Sequence, residues 1–475
     1  MSSDLVLGLD LGTGGARALV VRAEGPGSGE VVAEGEAPLV SRRTPDGGHE
    51  QDPSEWITAA RSAVASALRG TDEPGRVRAI CVDGTSGSVV GIDGARRPVT
   101  PGLMYDDARG AGLLEELEAR LGTSFAGRGA LARLAWLERE HPEGLERAVQ
   151  LVHQADLVAA DLRGEAAVSD WSNALKTGYD AGAERWLPSL EGLGSLRARL
   201  PEVVPPGAVL GPVSPGVGGE LGLPSGAVVV AGCTDGTAGL LASGASEFGE
   251  DAVTLGTTLV LKRVAAREVA AEGLYSHRLP GGRWLPGAAC GGGGGWVREE
   301  FPGEDLAALD RAASAHLPSS ALAYPGRVRE RFPFVTTGPV ELGLPEPSEP
   351  AARFAARLQG TAFLERLALE HLDHLCGPSS GGVRTTGGGA RSDLWTQLRA
   401  DVVGRPYLRP ERADAALGAA VLAAGAVVHG SLEAASRALV RVERVFEPSE
   451  ARREQLEEGF RAFRERLSQL GLLGA

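Results

Sequence analysis

The stretch Leu5-Val-Leu-Gly-Leu-Asp10-Leu-Gly12-Thr13-Gly14-Gly15-Ala-Arg17 decides how the rest of the chain is read. Its apolar first half predicts a buried strand with an acidic residue near its end. Segments 18–22 and 31–38 predict two more strands, and the three together predict an antiparallel meander. At the first turn, Gly12, Gly14 and Gly15 let backbone N–H groups approach an anion, and a nest of such groups binds phosphate. Thr13 adds a hydroxyl donor, and Arg17 a guanidinium able to pair with phosphate oxygens. Asp10 would repel a phosphate, so its use there is to hold Mg2+ through oxygen or water. The same string also suits a plain β-hairpin turn. No Gly-Lys-Ser/Thr occurs, so this is not a Walker A loop.

The same grammar returns later. Residues 227–233 predict a strand ending near Asp235, within Gly232-Cys-Thr-Asp235-Gly-Thr237 and ahead of a helix over 237–245. Asp235 there reads either as a partly desolvated general base or as a helix N-cap. Strands over 253–255 and 259–263 flank a second small turn, Gly256-Thr257-Thr258. Two Gly-Thr hairpins, each near a strand-end Asp, suggest an internal duplication without sequence identity. The Pro- and Gly-rich segment 201–226 predicts a boundary, giving domains 1–224 and 225–475. Helical periodicity covers 53–68, 113–140, 352–375, 392–403, 413–428 and 455–470.

Composition narrows the function. The 475 residues carry 48 Lys and Arg against 62 Asp and Glu, a net charge of -14, which argues against a nucleic-acid partner. No uncharged apolar run reaches about 18 residues, so no membrane span is expected. Residues 415–428 come closest and read as a buried helix. Cys81, Cys233, Cys290 and Cys376 are dispersed, and the N-terminus lacks the pattern of a cleavable leader, so a reducing cytoplasm is expected. The 68 glycines lack a collagen period.

Other strings suit small-molecule chemistry. Gly387-Gly388-Gly389-Ala-Arg-Ser, leading into a helix, can approach a flat ring or a phosphate. The run Gly291 to Gly295 reads either as a close-packed turn or as a mobile loop. Asp83-Gly-Thr-Ser86 and Tyr105-Asp-Asp-Ala-Arg109 place hydroxyls and carboxylates near strand ends, as polyol recognition needs. His371 and His374 share a helix face, but no third metal ligand accompanies them.

Taken in order, these strings resemble the FGGY family of carbohydrate kinases over almost the whole chain. Glu50-Gln-Asp-Pro53 with Trp56, and Leu134-Ala-Trp136 on to Glu140, add to the likeness. Within the family, Asp83-Gly-Thr-Ser86, Ser169-Asp170 with Asn173-Ala-Leu-Lys176, and Glu330-Arg-Phe-Pro333 are most similar to D-ribulokinases of the cyanobacterial and plant type. Typical xylulokinases carry Gly-Gln-Met-His-Gly where this chain has Gly84-Thr-Ser-Gly-Ser88. The resemblance implies an α/β fold of two actin-like ATPase (ribonuclease H-like) domains around a central cleft, acting as monomer or homodimer. It implies ATP and Mg2+, the latter on Asp10. Gly12, Thr13, Gly14, Arg17, Gly256, Thr257 and Thr258 would hold phosphates, and Gly387, Gly388 and Gly389 would border the adenosine. Asp235 would be the catalytic base. Ser86, Asp83 and Asp235, with Tyr105 and Lys176, would contact the sugar, expected to be D-ribulose, with xylulose or another ketose or polyol as the alternative and a non-catalytic sugar-binding regulator on the same fold as the reading from another class.

Overall fold

The structure is a computed structural model and describes residues 4–125 and 127–473. It contains mixed α/β sheets in two compact units. The first unit comprises residues 1–244, 277–282 and 414–441; the second comprises 245–276, 283–413 and 442–475.

The expected meander forms in the first unit. Strands Leu5–Gly12, Gly15–Arg22 and Val31–Pro38 pair antiparallel in sequence. Strand Val77–Gly84 then adds parallel to the first, and Val228–Val230 parallel to it in turn. Val209–Pro212 closes the edge antiparallel. Leu5, Leu7, Leu9 and Leu11 are fully buried, as are Val6 and Val20, because helices cover both faces. One cover is Pro53–Arg69, capped by Asp52 accepting from the Ser54 N–H at 2.9 Å.

The second sheet repeats this plan. Arg283–Cys290, Leu259–Arg263 and Asp251–Leu255 are antiparallel neighbours. Val383–Thr386 and Tyr407–Pro410 follow in parallel, and Val442–Phe446 closes antiparallel. Leu274–Leu279 is one further strand at the opposite edge. The duplication suspected from two hairpins is thus present in the topology: the Gly12–Gly15 turn and the Gly256–Thr258 turn join equivalent strands.

The division expected at residue 224 is not where the compact units part. The helix Asp235–Ser243 belongs to the first unit, and so does the late helix Ala415–Ala424. That late helix is apolar on every side and packs on the first strand and on the Asp235 helix. Glycine makes both contacts possible. A Cβ on Gly8 would lie 1.8 Å from the Ala416 carbonyl oxygen, and one on Gly418 would lie 1.9 Å from that of Ala238. The helix expected over 113–140 is two helices, Ala111–Leu121 and Gly129–Glu140, the first ended by left-handed Gly122. No single helix among the described residues is long and apolar enough to cross a membrane.

Candidate active site

Parallel pairing sets the geometry of the acidic centre. Asp10 and Asp83 are partners across the two central strands. Asp83 is fully buried, and among the described residues neither of its carboxyl oxygens has an N–H or hydroxyl donor. Burial raises it far above the usual carboxylate range, and the charge of Asp10 adds to the rise. A protonated Asp83 donates to Asp10. Asp10 is itself raised by burial and by the charges of Asp235 and Asp414, against the Asp83 bond and Arg17. These paired carboxyls form a hard, all-oxygen donor set that suits Mg2+. No group of three possible ligands is preassembled among the described residues. Mg2+ tolerates that, since it commonly takes one or two carboxylates plus waters and phosphate oxygens.

Asp235 stands beside this pair at the start of its helix. It is the first helical residue; Thr234 occupies the cap position, so the N-cap reading of Asp235 does not hold. A buried hydrogen-bond chain fixes the turn. Asp170 accepts from the Ser172 hydroxyl at 2.6 Å and from Asn173 Nδ2 at 2.6 Å, and the Ser172 hydroxyl accepts from the Thr234 N–H at 2.9 Å. Thr234 and Thr237 hydroxyls meet at 3.0 Å. Thr234 also bridges to Gly84, next to Asp83. Gly232 allows this approach, because a Cβ there would lie 1.8 Å from the Val82 carbonyl oxygen.

The Thr85–Ser88 turn follows Asp83. Thr85 is tied down: its hydroxyl donates to Gln154 Oε1 at 2.7 Å and meets Ser88 Oγ at 2.6 Å. Ser86 is half-buried, and among the described residues no hydrogen bond fixes its hydroxyl. Arg133 braces the turn by donating to the Gly87 carbonyl at 2.9 Å, and burial brings its guanidinium down to about 10. Burial lowers Lys176 as well, while the charge of Asp235 opposes that fall. Tyr105 is 47% exposed. Its neighbours form a scaffold instead: Asp107 accepts from the His49 N–H at 2.8 Å, and Arg109 pairs with Glu50 and stacks on Trp136.

At the first hairpin, Gly14 leaves open space and a Cβ on Gly12 would meet the Gly15 carbonyl oxygen at 3.6 Å, whereas Gly15 is packed with a virtual Cβ 2.6 Å from the Ala37 carbonyl oxygen. Gln51 anchors the turn, donating to the Thr13 carbonyl at 2.7 Å while accepting from Trp56 Nε1 at 2.7 Å. Arg17 differs from expectation. Its guanidinium is held between Glu36 and Asp414, at 2.5 Å from the latter, so a phosphate would have to compete for it.

In the second unit, the Gly256–Thr258 turn rests on the five-glycine run. Gly294 N–H donates to Gly256 O at 2.7 Å, and Gly295 N–H to Thr257 O at 3.1 Å. A Cβ on Gly293 would lie 2.4 Å from the Thr258 carbonyl carbon. Glu330 caps the run, accepting from the Gly291 and Gly292 N–H groups at 2.6 and 2.7 Å. The run is a close-packed turn, not a mobile loop. Gly387 has φ +89°, and Gly388 is exposed with open space beside it. Ser172, Gln154, Glu330 and Arg298, which donates to the Thr257 hydroxyl at 3.1 Å, were not singled out for site roles. Glu330 lies inside a quoted family-like string, but its role depends on long-range bonds.

Sequence profiles of the N- and C-terminal domains of the FGGY family of carbohydrate kinases match residues 5–242 and 252–427. The chain belongs to this family. A xylulose kinase from Streptomyces rubiginosus is 31% identical, over 89% of this chain and 88% of its own. An autoinducer-2 kinase from Yersinia enterocolitica is 28% identical, over 94% and 91%. Among solved structures, the xylulose kinase from Rhodospirillum rubrum superposes with a TM-score of 0.85 at 26% identity, covering 98% of this chain and 99% of that one. A gluconate kinase from Lactobacillus acidophilus shares the fold, with a TM-score of 0.84 at 19% identity over 99% and 98% of the chains. These relatives support an FGGY carbohydrate kinase without singling out the D-ribulokinase branch.

Proposed function

We propose that this FGGY kinase transfers the γ-phosphoryl group of ATP to the terminal hydroxyl of a ketopentose, D-ribulose first among candidates. One observation carries the reading. Asp235 heads its helix with its backbone fixed by the Asp170–Ser172–Thr234 chain, beside the Asp10–Asp83 pair. A carboxylate so held can take the proton of the C5 hydroxyl while that oxygen attacks the γ-phosphorus in line. The new O–P bond forms as the bond to the β-phosphate bridging oxygen breaks, and ADP leaves.

Asp10, with Asp83 alongside, would hold Mg2+, which would supply positive charge against the phosphates. Gly12, Thr13, Gly14, Gly256, Thr257 and Thr258 would supply N–H and hydroxyl donors to the phosphates. Gly387, Gly388 and Gly389 would border the adenosine. Ser86, whose hydroxyl has no partner among the described residues, would meet the sugar, with Lys176 and Tyr105 as further contacts. In this scheme residues 1–224 would chiefly bind sugar and 225–475 nucleotide, although Asp235 and residues 414–441 fold with the former. The four free cysteines support a cytoplasmic setting.

D-xylulose is the second reading, favoured by the xylulose kinases among the relatives. The Thr85-Ser86 segment supports ribulose instead. A panel of pentuloses and pentitols with ADP detection tests both. Turnover greatest on D-ribulose is the expected result; turnover greatest on a pentitol or on none would overturn it.

A further inference from the structure

We propose that Arg298 binds the polyphosphate of the nucleotide directly and discriminates ATP by its charge. This rests on the reading of Gly256-Thr257-Thr258 as a phosphate loop, and adds to it a residue from a different element. Arg298 lies on the short helix Gly295–Glu300, which leaves the five-glycine run. That run is locked to the hairpin by the Gly294 and Gly295 N–H bonds, so the helix and the hairpin tip hold a fixed relation. Arg298 reaches the tip: Nη2 donates to Thr257 Oγ1 at 3.1 Å, on an exposed surface.

The charge around Arg298 sets it apart. Its helix neighbour Glu300 is taken by Arg357 at 2.9 Å. No carboxylate lies within ion-pair distance of Arg298 among the described residues. Arg17, the guanidinium expected to serve phosphate, is neutralised by Glu36 and Asp414. An unpaired guanidinium on the hydroxyl of a phosphate loop has donors left over, and its planar fork matches phosphate oxygens. With polyphosphate present, Arg298 and Thr257 would donate to neighbouring oxygens, and Thr257 Oγ1 would remain an acceptor for Arg298.

Binding of ATP, ADP and adenosine to the full-length parent, Arg298→Ala, Arg298→Lys and Thr257→Ala, by calorimetry, tests this. Arg298→Ala is expected to weaken ATP about tenfold to a hundredfold, the range of a charge-assisted hydrogen bond. Adenosine affinity should change less than twofold, and Arg298→Lys should recover part of the loss. The double variant Arg298→Ala/Thr257→Ala should bind ATP more weakly than Thr257→Ala alone. ATP affinity within twofold of the parent in Arg298→Ala would overturn the proposal. So would no further loss in the double variant, because Arg298 would then act only by propping Thr257. A parent that binds no nucleotide would defeat the phosphate-loop reading itself, a result distinct from either of these.

Discussion

At the residue scale the proposed mechanism puts the chemistry on Asp235, and Asp235→Asn separates chemistry from binding. The amide keeps the shape but cannot take a proton, so kcat should fall about a hundredfold to ten-thousandfold, with ATP affinity within twofold. Near-normal kcat in a stopped assay would remove Asp235 from the mechanism. Asp156 gives a pH prediction from the same buried region. Burial, and then the charge of Asp170, push it up to about 8, while its oxygen accepts from the His153 N–H at 2.9 Å. An unfolded Asp titrates near about 3.9. Between those values the folded chain keeps a proton that the unfolded chain has lost. The stability from this group is therefore complete below about pH 4 and drains away as pH rises through about 8. Asp156→Asn retains an oxygen for His153 and does not titrate. Its Tm should gain on the parent from pH 5 to pH 8; a constant Tm difference across that range would contradict the assignment. The positions of Asp10 and of the glycine turns were legible in the sequence because they sit at strand ends beside small residues, and that of Asp235 because a short run of small residues separates a strand from a helix. Ser172 and Gln154 were not, because a polar residue in a loop shows no sign of the distant backbone it will hold.

Glycine runs show how elements, not single residues, build the two hairpin turns proposed to hold phosphate. The sequence left Gly291 to Gly295 open between a packed turn and a loose one. The structure packs it, since three of its glycines have virtual Cβ atoms within 2.6 Å of other atoms. Gly293→Ala should cost about 1–3 kcal/mol by overpacking against Thr258, and should weaken ATP binding through the displaced hairpin. Gly14→Ala meets nothing within 4 Å and should stay within about 0.5 kcal/mol of the parent. Urea denaturation of both variants checks this; equal losses would refute the contrast. Strands were readable where an apolar run ended in a Gly or Asp turn. Val383–Thr386 and Tyr407–Pro410 were missed because they are short and carry Arg, Thr and Pro, and only their parallel partners complete them.

On the scale of the whole molecule, order and spacing of weak strings were enough for family and fold class, whereas the division of the chain was not. Residues 414–441 return to the first unit because an all-apolar helix must be covered on every side, and the sequence does not say by what. Gly418→Val tests that seat: a side chain forced onto the Ala238 carbonyl should lower stability by about 3 kcal/mol or more and disturb the Asp235 helix. Unchanged thermal unfolding would show that the helix packs elsewhere. Under the proposed function, substrate choice would rest on the half-buried Ser86 turn, where this chain departs from the xylulokinase string. The most direct measurement is kcat/KM for D-ribulose against D-xylulose, by coupled ADP release with ATP and Mg2+ on the full-length protein. A clear preference for D-ribulose, lost in Ser86→Ala and with turnover abolished in Asp235→Asn, is expected. A preference for D-xylulose would contradict the substrate assignment, and no ADP release with either sugar would contradict the ketopentose kinase reading as a whole.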